Sequence, residues 1–262
     1  RSFLGYVKKG GIPQALQYPE LPIHKTMYDD ILNRDVAARY KITDTKPLRE
    51  LTFYLLSNIS SMISYNKLKE LLQLGSVNTV SSYIEYLGTS WLLFAINRYA
   101  FSIKQQQIAN KKIYCIDTGL TKSVAFSFSE DKGKFLENTV FLHLRRLHSD
   151  DIYYYKTKKD KEVDFYLPKK KIFIQVSQSL TDQNTRQREI QALEESMKEV
   201  GGSTGMIITE DEKERYYVKD LKSGKQRFVF DEKKGTGKPE EIVRQLWLHK
   251  LNVHYKYPWE RI

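Results

Sequence analysis

The chain has 262 residues, 40% hydrophobic and 29% charged, with a net charge of +11; that length suits one large domain or two ordinary ones. Its 18 tyrosines and 12 phenylalanines exclude a disordered composition, and no segment approaches the roughly 20 apolar residues that a bilayer span needs. One cysteine, Cys115, excludes an intrachain disulfide and a thiolate metal cluster, and with no signal-peptide pattern it points to a reducing cytosol.

Residues 1–44 open with the turn signal Gly10-Gly-Ile-Pro13, followed by a helical stretch from His24 to Tyr40. Residues 45–125 read as a second unit. Pro47 starts a helix carrying Leu48, Leu51, Leu55 and Ile59 at helical spacing. Ser64 caps a short helix, Gly75-Ser76 breaks it, and a further helix runs from Asn78 to Leu87 and ends at Gly88. The apolar run Trp91–Ile96 is expected to be a buried strand, then a polar loop through Lys104, then a strand from Lys112 to Ile116. Helix, short helix, turn, helix and hairpin is the order of a winged helix-turn-helix.

Residues 126–218 change to an α/β style, giving an α+β or α/β chain overall. A helix from Gly133 to His148 precedes strands at 152–156, 162–167 and 172–177, a helix at 185–200 ended by Gly201-Gly202, and a strand at 205–209. Residues 219–262 read as a polar linker and a last helix from Pro239 to about Leu251. The chain begins at Arg1 and stops in mid-pattern at Ile262, as expected of a piece cut at both ends.

Strict alternation groups Val163, Phe165 and Leu167 on one face, and Glu162, Asp164 and Tyr166 on the other. In the next strand Gln175 and Ser177 oppose Ile174 and Val176. Asp164, Gln175 and Ser177 are therefore expected on one surface, with Glu137 reaching it from the preceding helix. Carboxylates on adjacent strands hold Mg²⁺, and a lysine two residues beyond the second carboxylate serves the attacking water. Here Gln175 stands for that carboxylate and Ser177 for the lysine. Glu137, Asp164 and Gln175 are the candidate metal ligands, and these three with Ser177 are the candidate catalytic residues.

The run Lys111-Lys-Ile-Tyr-Cys-Ile-Asp-Thr-Gly-Leu120 resembles the signature joining the two C-terminal modules of a family of predicted bacterial and archaeal AAA-type ATPases. Phe135-Leu-Glu137-Asn, Glu162-Val-Asp164-Phe, and Ile174-Gln-Val-Ser177 followed by Thr185-Arg-Gln-Arg-Glu189 resemble its other markers, in order. The likeness covers residues 6–210. It implies a C-terminal domain similar to PD-(D/E)XK restriction endonucleases, with metal-binding positions at Glu137, Asp164 and Gln175, and an ATPase core preceding this chain. No Gly-x-x-x-x-Gly-Lys-Ser/Thr loop is present to bind ATP. The tail from Arg227-Phe-Val-Phe-Asp231 through Tyr257-Pro258 resembles the start of the motor-nuclease subunit of type I restriction enzymes.

A chain this basic attracts polyanions, and DNA is the expected partner. The helix at 78–87 exposes no Arg or Lys, which disfavours groove contact. Arg98, Lys104, Lys111 and Lys112 on the wing, with Lys156 and Lys158 beyond it, are the expected nucleic-acid contacts. The reading is a nucleic-acid-binding accessory region of an AAA-type ATPase, with a degenerate nuclease site. Its alternatives are a Mg²⁺-dependent DNA endonuclease and a protein-interaction module that couples an ATPase to a partner.

Overall fold

A computed structural model describes residues 3–125, 132–148, 151–201, 204–211, 217–220 and 226–228. The fold is α+β. Helices α1 (Phe3–Lys9), α2 (Pro13–Gln17) and α3 (Ile23–Asp30), the last continuing as a π-helical stretch Ile31–Ala38, lead to α4 (Lys46–Ser57). Then follow β1 (Ser61–Ile63), α5 (Tyr65–Leu71), α6 (Val77–Thr89), β2 (Leu93–Arg98), α7 (Ile103–Ile108), β3 (Lys111–Cys115) and α8 (Thr118–Val124). The C-terminal half adds α9 (Lys132–His148), β4 (Tyr153–Lys156), β5 (Glu162–Leu167), β6 (Ile172–Ser177), α10 (Gln183–Val200), β7 (Thr204–Thr209), β8 (Tyr217–Asp220) and β9 (Gln226–Phe228). Among the described residues no helix is long and apolar enough to cross a membrane.

Local chemistry accounts for the helix ends. The Ser64 hydroxyl accepts the Lys67 N–H, and the Ser76 hydroxyl accepts the Thr79 N–H at 3.0 Å, so both polar residues cap the helices they precede. Helix α6 does not stop at Gly88. It runs on, and Trp91 adopts φ +61° beyond its end, with Trp91 N–H donating to Gly88 C=O and Leu92 N–H to Leu87 C=O. That pair of bonds is the Schellman closure, which normally places glycine where Trp91 stands. Trp91 is therefore an exposed cap residue, not the first residue of a buried strand. The expected loop at Lys104 is the short helix α7.

The nine strands among the described residues form one sheet, in the order β1-β3-β2-β4-β5-β6-β7-β8-β9. The β2–β3 hairpin joins the C-terminal strands through parallel pairing of Asn97 with Tyr153 and Arg98 with Tyr154. The division expected at residue 126 is thus no break in the sheet. Nor does the sheet end at 218, because β9 lies within the stretch read as linker. The expected helix from Pro239 and most of the tail resemblance lie outside the described residues.

Three cores hold these layers. Leu32, Val36, Leu48, Leu51, Leu55, Val80 and Leu87 fill the helical half. Phe94, Tyr114, Phe141, Phe165 and Ile174 pack between the sheet and α9, while Tyr155, Val163, Tyr166, Phe173 and Leu193 pack on the α10 side. Each fully buried large side chain of this kind is worth about 1.5–3 kcal/mol. Val163 thus parts from Phe165 and Leu167, against the expected alternation. The cause is an extra residue in β5, where Tyr153 and Tyr155 of β4 oppose Tyr166 and Val163, a β-bulge spanning Asp164 and Phe165.

A fully buried amide joins the two halves. Asn138 Oδ1 accepts the Cys115 N–H at 2.8 Å, and Asn138 Nδ2 donates to the Cys115 carbonyl at 2.9 Å. Replacing Asn138 with Leu strands both backbone groups away from water. It is expected to lower unfolding free energy by about 2–4 kcal/mol, read from urea denaturation.

Candidate functional site

The bulge turns Asp164 toward α9, where it meets Glu137 as the sequence anticipated. What joins them is Lys112. Its ammonium lies 2.8 Å from Glu137 Oε1, 2.7 Å from Glu162 Oε1 and 2.8 Å from Asp164 Oδ1. Lys112 is 2% exposed, and the Tyr114 hydroxyl donates to the same Glu137 oxygen at 2.8 Å. Strand β3 supplies both groups because Lys112 and Tyr114 are two apart and share a face.

Burial pushes the Glu137 carboxyl up to about 8, with the Asp164 charge adding to it and Lys112 opposing. Lys112 is held well above its ordinary value: burial works against its charge, but Asp164 and Glu137 outweigh that, with smaller help from Tyr114 and Glu162. One ammonium facing three carboxyl groups leaves negative charge in excess, and a retained proton on Glu137 reduces it.

Gln175 does not join this cluster. It follows Phe173 onto the α10 face, and its Nε2 donates to Glu189 Oε2 at 2.6 Å. Glu189 is also paired with Arg188 at 2.6 Å. Gln175 does touch Asp164 through the backbone, since its Oε1 accepts the Asp164 N–H, while Asp164 Oδ2 accepts the Val176 N–H. These side-chain bonds take over where the β5–β6 ladder stops. Ser177 turns to the Ser179 carbonyl and stays apart from Glu137 and Asp164. The proposed grouping of Asp164, Gln175 and Ser177 on one surface is therefore corrected: the bulge sends Asp164 to one face and alternation sends Gln175 to the other.

Glu137, Glu162 and Asp164 are the hard oxygen donors that a divalent cation prefers. With the Lys112 ammonium seated between them, the residues present do not fit a metal ion, because a dication would have to share that centre with a fixed positive charge. Gln175, the third expected ligand, faces away.

The expected nucleic-acid contacts divide. Lys112 is buried and ion-paired, so it cannot reach a phosphate; its side chain points inward from β3 rather than outward from the wing. Arg98 donates to the Lys156 carbonyl, tying β2 to β4. Lys111 donates to the Gln106 and Gln107 carbonyls at the end of α7, and partial burial lowers its pKa. Lys156 pairs with Asp160 at 2.6 Å. Lys104 and Lys158 are exposed. Parallel β2 and β4 point the same way, so α7 and the β4–β5 turn place these basic residues at one end of the sheet. Sequence reasoning missed Lys112 as the centre of the cluster. The available signal was the lysine–tyrosine spacing in the same signature that resembled the ATPase family.

Fold and site together define an α+β protein built around a buried lysine–carboxylate centre. Residues 1–131 match the family described as a domain of unknown function, DUF8612, and residues 132–225 match the domain of unknown function DUF4143. The chain belongs to the DUF8612 family. It is 34% identical over 209 residues to the uncharacterized protein MJ1544 of Methanocaldococcus jannaschii, covering 74% of this chain and 46% of that protein. It is 29% identical over 170 residues to an uncharacterized protein of Haemophilus influenzae, covering 61% and 41% respectively. The chain thus spans less than half the length of these relatives. No solved structure matches it.

Removing the cation leaves the carboxylates uncompensated. Lys112→Met is expected to cost about 3–5 kcal/mol of unfolding free energy. In the wild type, Glu137 titrates near 8 when folded and near about 4.3 when unfolded, so its contribution is full below the lower value and is lost as pH rises to the higher one. Urea denaturation from pH 5 to pH 8 should show that decline, and Glu137→Gln should flatten it.

Proposed function

We propose that this chain is a nucleic-acid-binding accessory region of an AAA-type ATPase, with a nuclease-like site whose metal position is held by the Lys112 ammonium. The observation that carries the second half is the 2.7–2.8 Å contact of one lysine with Glu137, Glu162 and Asp164. Helices α5 and α6 with the β2–β3 hairpin are read as a winged helix, and β4–β7 with α9 and α10 as an endonuclease-like layer. The order of elements and the carboxylates on α9 and β5 support both readings. DUF4143 is often found in AAA-ATPase-associated proteins, which supports the ATPase link.

Nucleic-acid binding is supported by the net charge of +11 and by basic residues collected at one end of the sheet, Lys104 and Lys158 exposed among them. A buried, free Cys115 suits a reducing cytosol. One observation favours the protein-coupling alternative instead: Phe101, Ile103 and Ile108 on and beside α7 are 79%, 74% and 76% exposed.

Gel shifts with duplex and single-stranded DNA separate these readings. The proposal predicts binding that weakens steeply with salt, and a logarithmic salt slope reduced by about 2 in the Lys104→Ala/Lys158→Ala double variant. Plasmid incubated with Mg²⁺ or Mn²⁺ should stay as intact with wild type as with Asp164→Ala. Nicking that vanishes in Asp164→Ala would establish the endonuclease instead, and absence of any shift would favour protein coupling.

A further inference from the structure

A groove of about 720 Å³ runs between α6 and the neighbouring β2 and β4 strands. Glu85 and Thr89 of α6, Asn97 of β2, Lys111 of β3, Tyr153 of β4 and Arg145 of α9 line it. Trp91 stands beside it, 61% exposed, its ring meeting the lining residue Phe94 edge-on at 5.9 Å. The Arg145 guanidinium lies over both rings, 4.1 Å from the Phe94 centroid and 5.3 Å from that of Trp91.

Two features of Trp91 call for an explanation. Of the six non-glycine residues with positive φ among those described, it is the one aromatic, and it fills a helix-closing position where glycine is unstrained. Its indole also stays in solvent, although a large apolar ring gains most from burial. A strained backbone that holds an aromatic ring outward against an arginine is a mark of a binding position. We propose that Trp91 and the groove beside it bind an unpaired stretch of nucleic acid, the indole stacking on a base while Arg145 faces the phosphates. This rests on the reading that the chain binds nucleic acid.

The chemistry favours a single strand over a duplex. The exposed face of α6 offers Asn78, Ser81 and Glu85 but no cation for a duplex backbone. Aromatic stacking needs a base freed from its own stack, and it tolerates any base. Glu85, the acid in the groove, repels phosphate but accepts hydrogen bonds from exocyclic base amines, as Asn97 and Thr89 also can.

Trp91→Gly tests this cleanly, since it removes the ring and also relaxes the positive φ. The measurement is fluorescence anisotropy of a labelled oligodeoxythymidine about 20 nucleotides long and of a duplex of equal length. Wild type should prefer the single strand. Trp91→Gly should lose about 10- to 100-fold of that affinity while its melting temperature stays at or above wild type, and Trp91→Phe should recover part of the loss. Wild-type binding that Trp91→Gly leaves unchanged, or a preference for duplex, would overturn this inference alone. Failure of wild type to bind either probe would overturn the nucleic-acid reading as well.

Discussion

Everything in this protein turns on where one buried ammonium goes. Lys112 lies on a strand of the N-terminal half, and its three carboxylate partners lie on α9 and β5 of the C-terminal half. An ammonium and carboxylates withdrawn from water each carry a desolvation penalty of several kcal/mol, so each side is costly without the other. The halves must therefore fold against each other. The sheet reflects this, running unbroken from β3 and β2 into β4 and β5. At the centre of its carboxyl cluster the chain supplies its own cation.

The short motifs singled out in the sequence are the contact points of that union. Lys112, Tyr114 and Cys115 of one motif meet Glu137 and Asn138 of the next. Asp117 caps α8 by accepting the Leu120 N–H and also accepts the Gly11 N–H at 2.6 Å, so the motif at Gly10 docks on the same signature. Glycine is required there: Gly10 has φ +80°, and a Cβ on it would lie 2.1 Å from Asp117 Oδ1. In this chain these motifs meet at one internal interface.

Much of the fold was legible in the sequence because its signals were local. The serine cap at Ser64, the break at Gly75-Ser76, the helical spacing of Leu48, Leu51 and Leu55, and Gly201 at a helix end each act within a turn or two. The site was legible only in part. Glu137 and Asp164 do converge, but the expected grouping of Asp164 with Gln175 and Ser177 fails because a period-two rule cannot foresee the bulge that turns Asp164 to the opposite face. Lys112 was mistaken for a surface cation because its neighbours Arg98, Lys104 and Lys111 are basic too. Only the long-range pairing of β3 beside α9 shows that it points inward. Trp91 misled in the same way: an apolar residue before an apolar run looks like strand, whereas backbone closure of α6 places it outside.

The occupant of the carboxylate cluster is open to direct measurement. Crystals grown or soaked with Mn²⁺ and measured at a wavelength where manganese scatters anomalously would test it directly. No anomalous peak is expected near Glu137, Glu162 and Asp164, with the Lys112 side chain in hydrogen-bond contact with all three. A manganese peak bridging Glu137 and Asp164, with that side chain swung out, would contradict it.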